Sequence, residues 1–424
     1  MVAGSRSLLA ARTGDYDGAN DGKVEPRSIL IIAPTWPHPP TWGFATRVLH
    51  LATQLARRHR VSLLAFGGGP AAAALLEAVS VFESVDLVPA PPSARNRRRA
   101  QLESLVSPHS FHLGALRSEE MRSALENLLS RRPFDLIQLE SSQMGFVLPV
   151  AQIPVVLDEH NIEFVLLQRL ASIESSFPRR AFGYLDAAKA RREEIQAWSG
   201  CDGAVLTSTG DLAVVQTVMP RKPACVVPNG VDTDYFQPSV HEPEASTVVF
   251  TGAINYRPNS DAVAYFIREV MPRLKRMQPS ARFIVVGRGA PDWLVRMGDA
   301  SVEFTGAVDD VRPYLQKASV VVAPLRAGSG TRLKILEALA MGKPVVTTPI
   351  GCEGLSVADG VHLSIAGGTD AFAAETARLL TGRAVARELG RRGRELVERE
   401  YSWPVVGDRL EQFHTQVIRK ETTV

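Results

Sequence analysis

Lys334 and Glu337 stand three residues apart in Thr331-Arg332-Leu333-Lys334-Ile335-Leu336-Glu337-Ala338-Leu339, a stretch whose apolar spacing predicts a helix. A cation and a carboxylate at that spacing share one helical face. The cation suits a diphosphate, and the carboxylate can accept hydrogen bonds from both hydroxyls of a ribose. Directly before that helix runs Gly328-Ser329-Gly330-Thr331, whose glycines let backbone amides converge at the helix start and hold a phosphate. The plainer reading is an exposed ion pair worth about a few tenths of a kcal/mol.

A second group is Asp158-Glu159-His160-Asn161, which ends the apolar run Pro154–Asp158. Polar residues at the end of a buried parallel strand face either a ligand crevice or a compensating network. His160 can bond a substrate hydroxyl or move a proton, because imidazole titrates near neutrality. An Asp-His pair that only caps the next helix is the alternative. A third group is the Pro-rich stretch Ala33 to Gly43, ending in Trp42-Gly43, between the first strand and a helix that runs to about Arg58. Free N–H groups at such a helix start can meet a phosphate or a sugar, or the glycine can merely make the turn. Phe44, Val48, Leu51 and Leu55 mark that helix's buried face, with Arg57 and Arg58 at its C-terminal dipole end. Neither a Walker loop nor a dinucleotide fingerprint is present: no Gly-Lys-Ser/Thr follows the glycines, and Gly287-Arg288-Gly289-Ala290 lacks the third glycine.

The elements that must carry these groups are short β-branched runs alternating with helical stretches. The runs are Ile29–Ala33, Val61–Ala65, Phe134–Leu139, Pro154–Asp158, Gly203–Thr207, Ala224–Val227, Thr247–Thr251, Arg282–Gly287, Val302–Thr305, Ser319–Ala323 and Pro344–Thr348. Near-continuous apolar strands separated by helices indicate parallel sheets covered on both faces. So many strands divide naturally into two doubly wound domains. The boundary falls at Pro228-Asn229-Gly230-Val231-Asp232, giving a domain over 28–228 and another over 229–403. Val405, Val406, Leu410, Phe413 and Val417 space a last helix over 404–420, expected to return to the first domain. Leu63 to Phe82 reads as a strand end, a loop and a helix, and not as a membrane span.

The 424-residue chain is 45% hydrophobic and 22% charged, with a formal charge of +3 shared almost evenly between its halves. That composition excludes disordered chains and small disulfide scaffolds, and it argues against nucleic acid as a partner. Cys201, Cys225 and Cys352 are too scattered for a metal cluster and read as reduced thiols of a cytoplasmic protein. Residues 1–27 lack a signal peptide's apolar core and read as a disordered leader. Arg95, Arg97, Arg98 and Arg99 read as a solvated loop, with contact to anionic lipid as the alternative.

From about Arg27 to Lys420 the sequence resembles the GT-B glycosyltransferases, in particular family 4, the glycosyl transferases group 1. Gly43 and Arg47 resemble that family's N-terminal glycine loop and Arg-bearing helix, and His160 its strand-end histidine. Pro228-Asn229-Gly230-Val231-Asp232 is similar to the interdomain segment, and Phe250-Thr251-Gly252 to the first C-domain strand and loop. Phe304-Thr305-Gly306 with Val308-Asp309-Asp310 resembles the base-contacting loop, and Glu337 to Val346 the helix whose glutamate binds the nucleotide ribose. Two departures stand out. Ser329 occupies the place of the family's first glutamate, which leaves the donor sugar open. The usual Arg and Lys after the first C-domain glycine are also missing from Gly252-Ala253-Ile254-Asn255-Tyr256-Arg257-Pro258-Asn259. A subgroup shares this Pro-Asn variant and the Gly-x-Gly-Thr-Arg-Leu-Lys loop, and there Arg257, Arg332 and Lys334 are expected to carry the phosphate charge.

The resemblance implies an α/β protein of GT-B fold: two Rossmann-like doubly wound parallel-sheet domains facing a cleft that domain closure completes. It further implies a retaining, metal-independent transferase with no cofactor, whose donor substrate is a nucleotide diphosphate sugar. The implied catalytic residues are His160, Lys334 and Glu337. Donor binding falls to Gly252, Arg257, Asn259, Val308, Gly328, Ser329, Gly330, Thr331, Arg332, Lys334 and Glu337, and acceptor binding to Trp42, Gly43, Arg47, Asp158 and His160. A glycan or lipid-linked acceptor is expected, with polysaccharide biosynthesis as the setting and the inner membrane face as a peripheral location. Two rivals stay open: a nucleotide-sugar 2-epimerase, which needs carboxylates such as Asp158 and Glu159, and an inactive nucleotide-sugar-binding protein.

Overall fold

The computed structural model describes residues 25–40, 42–67, 80–91, 97–150, 152–327 and 331–421. Residues 1–24 of the expected leader, residues 68–79 of the Leu63–Phe82 stretch, Arg95, and Gly328, Ser329 and Gly330 lie outside them. The chain divides into two compact units, one running to Pro228 and resuming at Val406, the other spanning Asn229–Val405.

The first unit contains β1 (Ser28–Ala33), α1 (Gly43–Leu55), β2 (Arg60–Phe66), β3 (Ser84–Val88), α2 (Arg97–Val106), α3 (Glu119–Arg131), β4 (Leu136–Glu140) and β5 (Val155–Glu159), then α4 (Glu163–Ser172), α5 (Phe177–Ser199), β6 (Gly203–Leu206), α6 (Thr209–Val218) and β7 (Ala224–Val226). The strands pair in parallel in the order β3-β2-β1-β4-β5-β6-β7. β1, β4, β5 and β6 are buried along their whole lengths, which is why they read as mainly apolar runs, with Gln138 inside β4 and acids only at the ends of β4 and β5. β3 is an edge strand with Asp86 exposed, so its mixed Ser-Val-Asp-Leu-Val carries no such run. Strand order reverses between β1 and β4, and open α/β sheets bind ligands outside the strand ends at such a point.

Two sequence expectations are corrected here. The first helix ends at Leu55, so Arg57 and Arg58 lie beyond it, and Arg58 reaches Glu411 at 2.6 Å and Asp408 at 3.0 Å. The basic run is not all loop, because Arg97 to Arg99 open α2.

The second unit contains β8 (Thr247–Thr251), α7 (Arg257–Tyr265), α8 (Met271–Met277), β9 (Arg282–Val286), α9 (Asp292–Val295), β10 (Val302–Gly306), α10 (Arg312–Lys317), β11 (Val320–Ala323), α11 (Leu333–Ala340), β12 (Val345–Thr347), β13 (Ser364–Ile365), α12 (Thr369–Thr381) and α13 (Arg383–Glu400). Its parallel strands run β10-β9-β8-β11-β12-β13, with the reversal between β8 and β11. Glycines close the ends of β8 and β9. Gly252 and Gly287 have φ of 147° and 148°, and a Cβ on Gly287 would lie 1.7 Å from the Gly252 carbonyl oxygen. No side chain fits between these two turns.

The last helix, α14 (Trp403–Glu421), belongs to the first unit from Val406 onward. Its Val406, Leu410, Phe413 and Val417 are buried. Phe413 and Val417 press so closely on Gly203 that a Cβ there would come within 2.9 and 2.8 Å of them. Arg27, at the end of the expected leader, donates to Thr415 Oγ1 at 2.9 Å. Among the described residues no helix is long and apolar enough to cross a membrane.

Within the first unit's core, Glu159 accepts from Trp198 Nε1 at 3.0 Å and from the Ser142 hydroxyl at 3.1 Å. Burial pushes its carboxyl up to about 8 from an ordinary 4.5. A folded-state value above the unfolded one gives a contribution that is complete below 4.5 and lost as pH rises to about 8. Glu159→Gln, which mimics the protonated form, should therefore gain in melting temperature over wild type between those limits and gain no more above them. A constant offset across a calorimetric pH series contradicts this. Gly287→Ala should lower stability by about 2 kcal/mol or more, read as a fall of several degrees in the second unit's melting transition.

Candidate functional site

In the first unit the site begins with a buried ion pair. Arg47 projects from α1 and is wholly unexposed, and its Nε and Nη2 donate to Asp158 Oδ2 and Oδ1 at 2.9 and 2.8 Å. Its Nη1 and Nη2 also reach the carbonyl oxygens of Pro228 and Val227, each at 2.9 Å. Sequence reasoning put Arg47 and Asp158 among acceptor contacts; the structure shows them buried and bonded to each other at the strand ends.

Beside Asp158, at the end of β4, lies Glu140, a residue that the sequence reading missed. Its Oε2 is 2.7 Å from His160 Nε2, and its Oε1 accepts from Gln138 at 2.6 Å. The pairing register sets Glu140 opposite Asp158, so an acid closing the run before Ser141 was the available signal. Burial raises the Glu140 carboxyl, while the hydrogen bond from His160 opposes the rise. His160 keeps a tenth of its side chain exposed. Phe44 stacks on its ring at 4.5 Å, and Trp42, itself 42% exposed, stacks on Phe44 at 5.2 Å. Gly43 opens α1 with no side-chain cap, so the first N–H groups of that helix depend on another acceptor.

One atom each of Glu140, Asp158 and His160 lies within 4.8 Å of the others, close enough to face a metal ion. All four carboxylate oxygens of this group already accept from Arg47, Gln138 or His160. A cation entering here would have to displace the Arg47 guanidinium. Glu159 turns away into the core, so the two adjacent carboxylates that an epimerase would need are both engaged.

In the second unit the site gathers at the ends of β8 and β11. Lys334, one residue into α11, donates to Asn259 Oδ1 at 2.6 Å, and its Nζ stands 4.1 Å from the centre of the buried Phe250 ring. Asn259 is fixed in turn by its amide on Ala253 O at 2.8 Å. Gly252 is required here, since a Cβ would come within 2.9 Å of Lys334 Nζ and 3.0 Å of Asn259 Nδ2. Among the described residues no carboxylate bonds Lys334 and no donor bonds the Glu337 carboxylate. Burial, with Arg332 adding to it, lowers Lys334 to about 7, and burial raises Glu337 to about 7.

The remaining expected donor contacts are placed as follows. Thr331 accepts from the Asn229 backbone N–H at 2.7 Å on its hydroxyl and from the Asn229 side chain at 2.9 Å on its carbonyl. Arg332 is 9% exposed, with one N–H 3.4 Å from Ile350 O. Arg257 is exposed at the start of α7, and Val308 packs half-buried at the edge of the α11 core. Gly328, Ser329 and Gly330 are outside the described residues.

Against known proteins, residues 43–235 match the family model described as Glycosyltransferase Family 4, and residues 245–382 match Glycosyl transferases group 1. The phosphatidyl-myo-inositol mannosyltransferase of Mycobacterium leprae is 27% identical over 205 residues, 46% of this chain and 54% of that protein. The D-inositol 3-phosphate glycosyltransferase of Segniliparus rotundus is 30% identical over 216 residues, 46% of this chain and 47% of that protein. The chain thus spans about half the length of these curated relatives. In fold it is similar to sucrose-phosphate synthase from Thermosynechococcus elongatus, with TM-score 0.70, 17% identity, and 93% and 100% of the two chains covered. The Anabaena HepE structure in complex with UDP and glucose aligns at TM-score 0.66 and 15% identity, covering 92% of this chain and 100% of that one. With one family model on each unit and the strand order of a doubly wound sheet in both, the chain belongs to the GT-B fold, glycosyltransferase family 4.

Proposed function

We propose that this chain transfers a sugar, with retention of configuration, from a nucleotide diphosphate sugar to a glycan, lipid-linked or small-molecule acceptor in polysaccharide or glycolipid biosynthesis. The observation that carries the reading is the Lys334–Glu337 pair. A recessed ammonium and a recessed carboxylate share one face of a short helix, and neither is neutralised by a bonded partner of opposite charge among the described residues. A diphosphate would meet the first and a ribose diol the second. The family model over 245–382 covers this unit, and the similarity to glycosyl- and mannosyltransferases and to a UDP-binding fold supports the same donor class.

In this reading residues 229–403 hold the donor and residues 28–228, with the helix over 404–420, hold the acceptor. Gly252, Asn259 and Lys334 form the diphosphate floor, Arg257, Arg332 and the Gly328–Thr331 loop add charge and amides, and Val308 meets the base. These are the features of the Pro-Asn and Gly-x-Gly-Thr-Arg-Leu-Lys subgroup. The bond from sugar C1 to the diphosphate oxygen breaks with its electron pair leaving on the diphosphate, and these fixed donors stabilise that charge as it develops. Protein cations and amides meet the charge, so no metal is called for. Trp42, Gly43 and His160 meet the acceptor, with Arg47 and Asp158 behind them.

Two measurements test this. Lys334→Ala should cut kcat/KM by ~10-fold or more with labelled nucleotide sugars and a mixed glycan and glycolipid acceptor pool. Near-wild-type turnover removes Lys334 from the mechanism, binding without turnover points to a sensor, and an isomeric free product points to an epimerase. Bound diphosphate should also raise Lys334 above its value of about 7, so calorimetry near pH 8 should detect proton uptake on binding UDP or GDP. Affinity should fall as pH rises through that range. Uptake that survives in Lys334→Met assigns the proton elsewhere.

A further inference from the structure

We propose that the outward face of α5, together with the end of α2, docks on a membrane surface that carries anionic lipid. The inference stands on the first unit by itself and does not depend on the transferase reading.

The sequence of α5 puts Phe177, Ala181, Tyr184, Leu185 and Ala188 at three- and four-residue steps, which keeps them on one side of a helix. A stripe of this kind ordinarily faces a core, yet all five residues are exposed, Phe177 by 72%. The positions that α5 does bury, among them Ala187, Ala190 and Ala197, lie on its opposite side. Leu105 and Val106, which close α2, stand beside the stripe. Val106 is 90% exposed, and the carbonyls of Leu105 and Ser107 accept from Lys189, one turn along α5 from Leu185. Glu103 is also exposed on α2, but it is two positions from Leu105, so the two do not share a face.

Charge on α5 is sorted by side in the same way. Its three acids are buried and engaged: Asp186 accepts from Ser110 Oγ and the Phe111 N–H, Glu193 from the Ser110 N–H, and Glu194 from the N–H groups of Glu163 and Phe164. Its five cations, Arg179, Arg180, Lys189, Arg191 and Arg192, bond no carboxylate among the described residues. Helix α13 shows how this chain dresses a cationic face turned to water. There Arg391 and Arg392 share Glu388, Arg394 pairs with Glu398 and Arg399 with Glu400, and among the described residues Val385 is its one exposed large apolar side chain.

Apolar side chains ringed by unpaired cations match the boundary between lipid headgroups and acyl chains, where the former sink in and the latter meet phosphates. A second copy of the chain would set five cations against five. Nucleic acid would offer Leu105, Val106 and Leu185 no apolar volume. Because α5 stays packed on the core through its other side, the contact is a docking of the folded unit and not an insertion of the helix.

The test is co-sedimentation of the full chain with vesicles of mixed phosphatidylglycerol and phosphatidylcholine. Affinity should be ~10-fold or more weaker for pure phosphatidylcholine, and should fall as salt is raised. The double variants Arg179→Glu with Arg180→Glu, and Phe177→Ser with Leu185→Ser, should each lose ~10-fold or more in affinity while keeping the wild-type melting temperature. Phe177→Trp should gain quenching by brominated acyl chains. Equal binding to both vesicle types, an undiminished bound fraction in both double variants, or no added quenching in Phe177→Trp overturns the proposal. So does binding that survives in the α5 variants and disappears when Arg97, Arg98 and Arg99 are replaced by serine. A dimer or a complex with single-stranded DNA that the α5 variants abolish, without vesicle binding by wild type, gives the face to another occupant. Absence of sugar transfer with every donor would bring down the transferase reading and leave the vesicle result as it stands.

Discussion

The Lys334 ammonium is held by a neutral amide oxygen and an aromatic ring, and the strand ends of the second unit are shaped by keeping it there. Phe250, the residue before Thr251 at the end of β8, supplies the ring, and the Asn259 side chain supplies the oxygen. Gly252 between them has no Cβ because the ammonium and the amide occupy that space, and Gly287 has none because the Gly252 carbonyl occupies its own. One partly buried cation thus accounts for two glycines on adjacent strands, for a positive φ at each, and for the anchoring of Asn259 to Ala253. Such an environment removes water and supplies no bonded counter-charge, only the field of Glu337, which is why the ammonium titrates so low.

Other cations of the same unit show what an engaged one looks like. Arg326 forms a double hydrogen bond with Asp261, Arg312 does so with Asp310 while lying over the Tyr235 ring, and Arg394 is bonded to the carbonyls of Phe236, Ala340 and Thr233. The first unit closes its site in the same manner, with a guanidinium matched to a carboxylate in complete burial. Breaking such a pair by removing one member would leave a bare charge in the core, at a cost of about 3–5 kcal/mol. Sequence alone ranks all these residues alike, as charged residues near glycines. Geometry separates those already neutralised from those that are not.

This separation explains what the sequence could and could not convey. Strands buried on both faces announce themselves as apolar runs, so the cores of both sheets were legible from composition and spacing. β3 and β13 were not: the first is a mixed edge strand and the second is only two residues long. At the site, Lys334 and Glu337 were legible because three-residue spacing on a helix is a local property. The pairing of Arg47 was not legible because its partner, Asp158, lies more than a hundred residues away, and nothing local distinguishes a buried arginine from an exposed one. Glu140 was overlooked for the same reason. Its significance comes from the register between β4 and β5, which brings it level with Asp158, and register is decided by the whole sheet.

Lys334 and Glu337 are displaced in opposite directions to the same region of the pH scale, and that convergence has one physical cause. Each is shielded from water and reached by the other's field, yet no hydrogen bond joins them among the described residues. A direct salt bridge would hold both groups charged and stabilise the unliganded fold. A separation along the helix leaves each partly uncharged near neutrality and leaves the fold less stable than it could be. Folded proteins tolerate such a deficit at sites where a ligand removes it. On the proposed reading, a diphosphate with a ribose attached would supply an anion and a pair of hydroxyl donors on one frame, in the order in which cation and carboxylate occur along α11. The deficit of the unliganded pair would then be relieved by such a ligand, and that relief would add to its affinity.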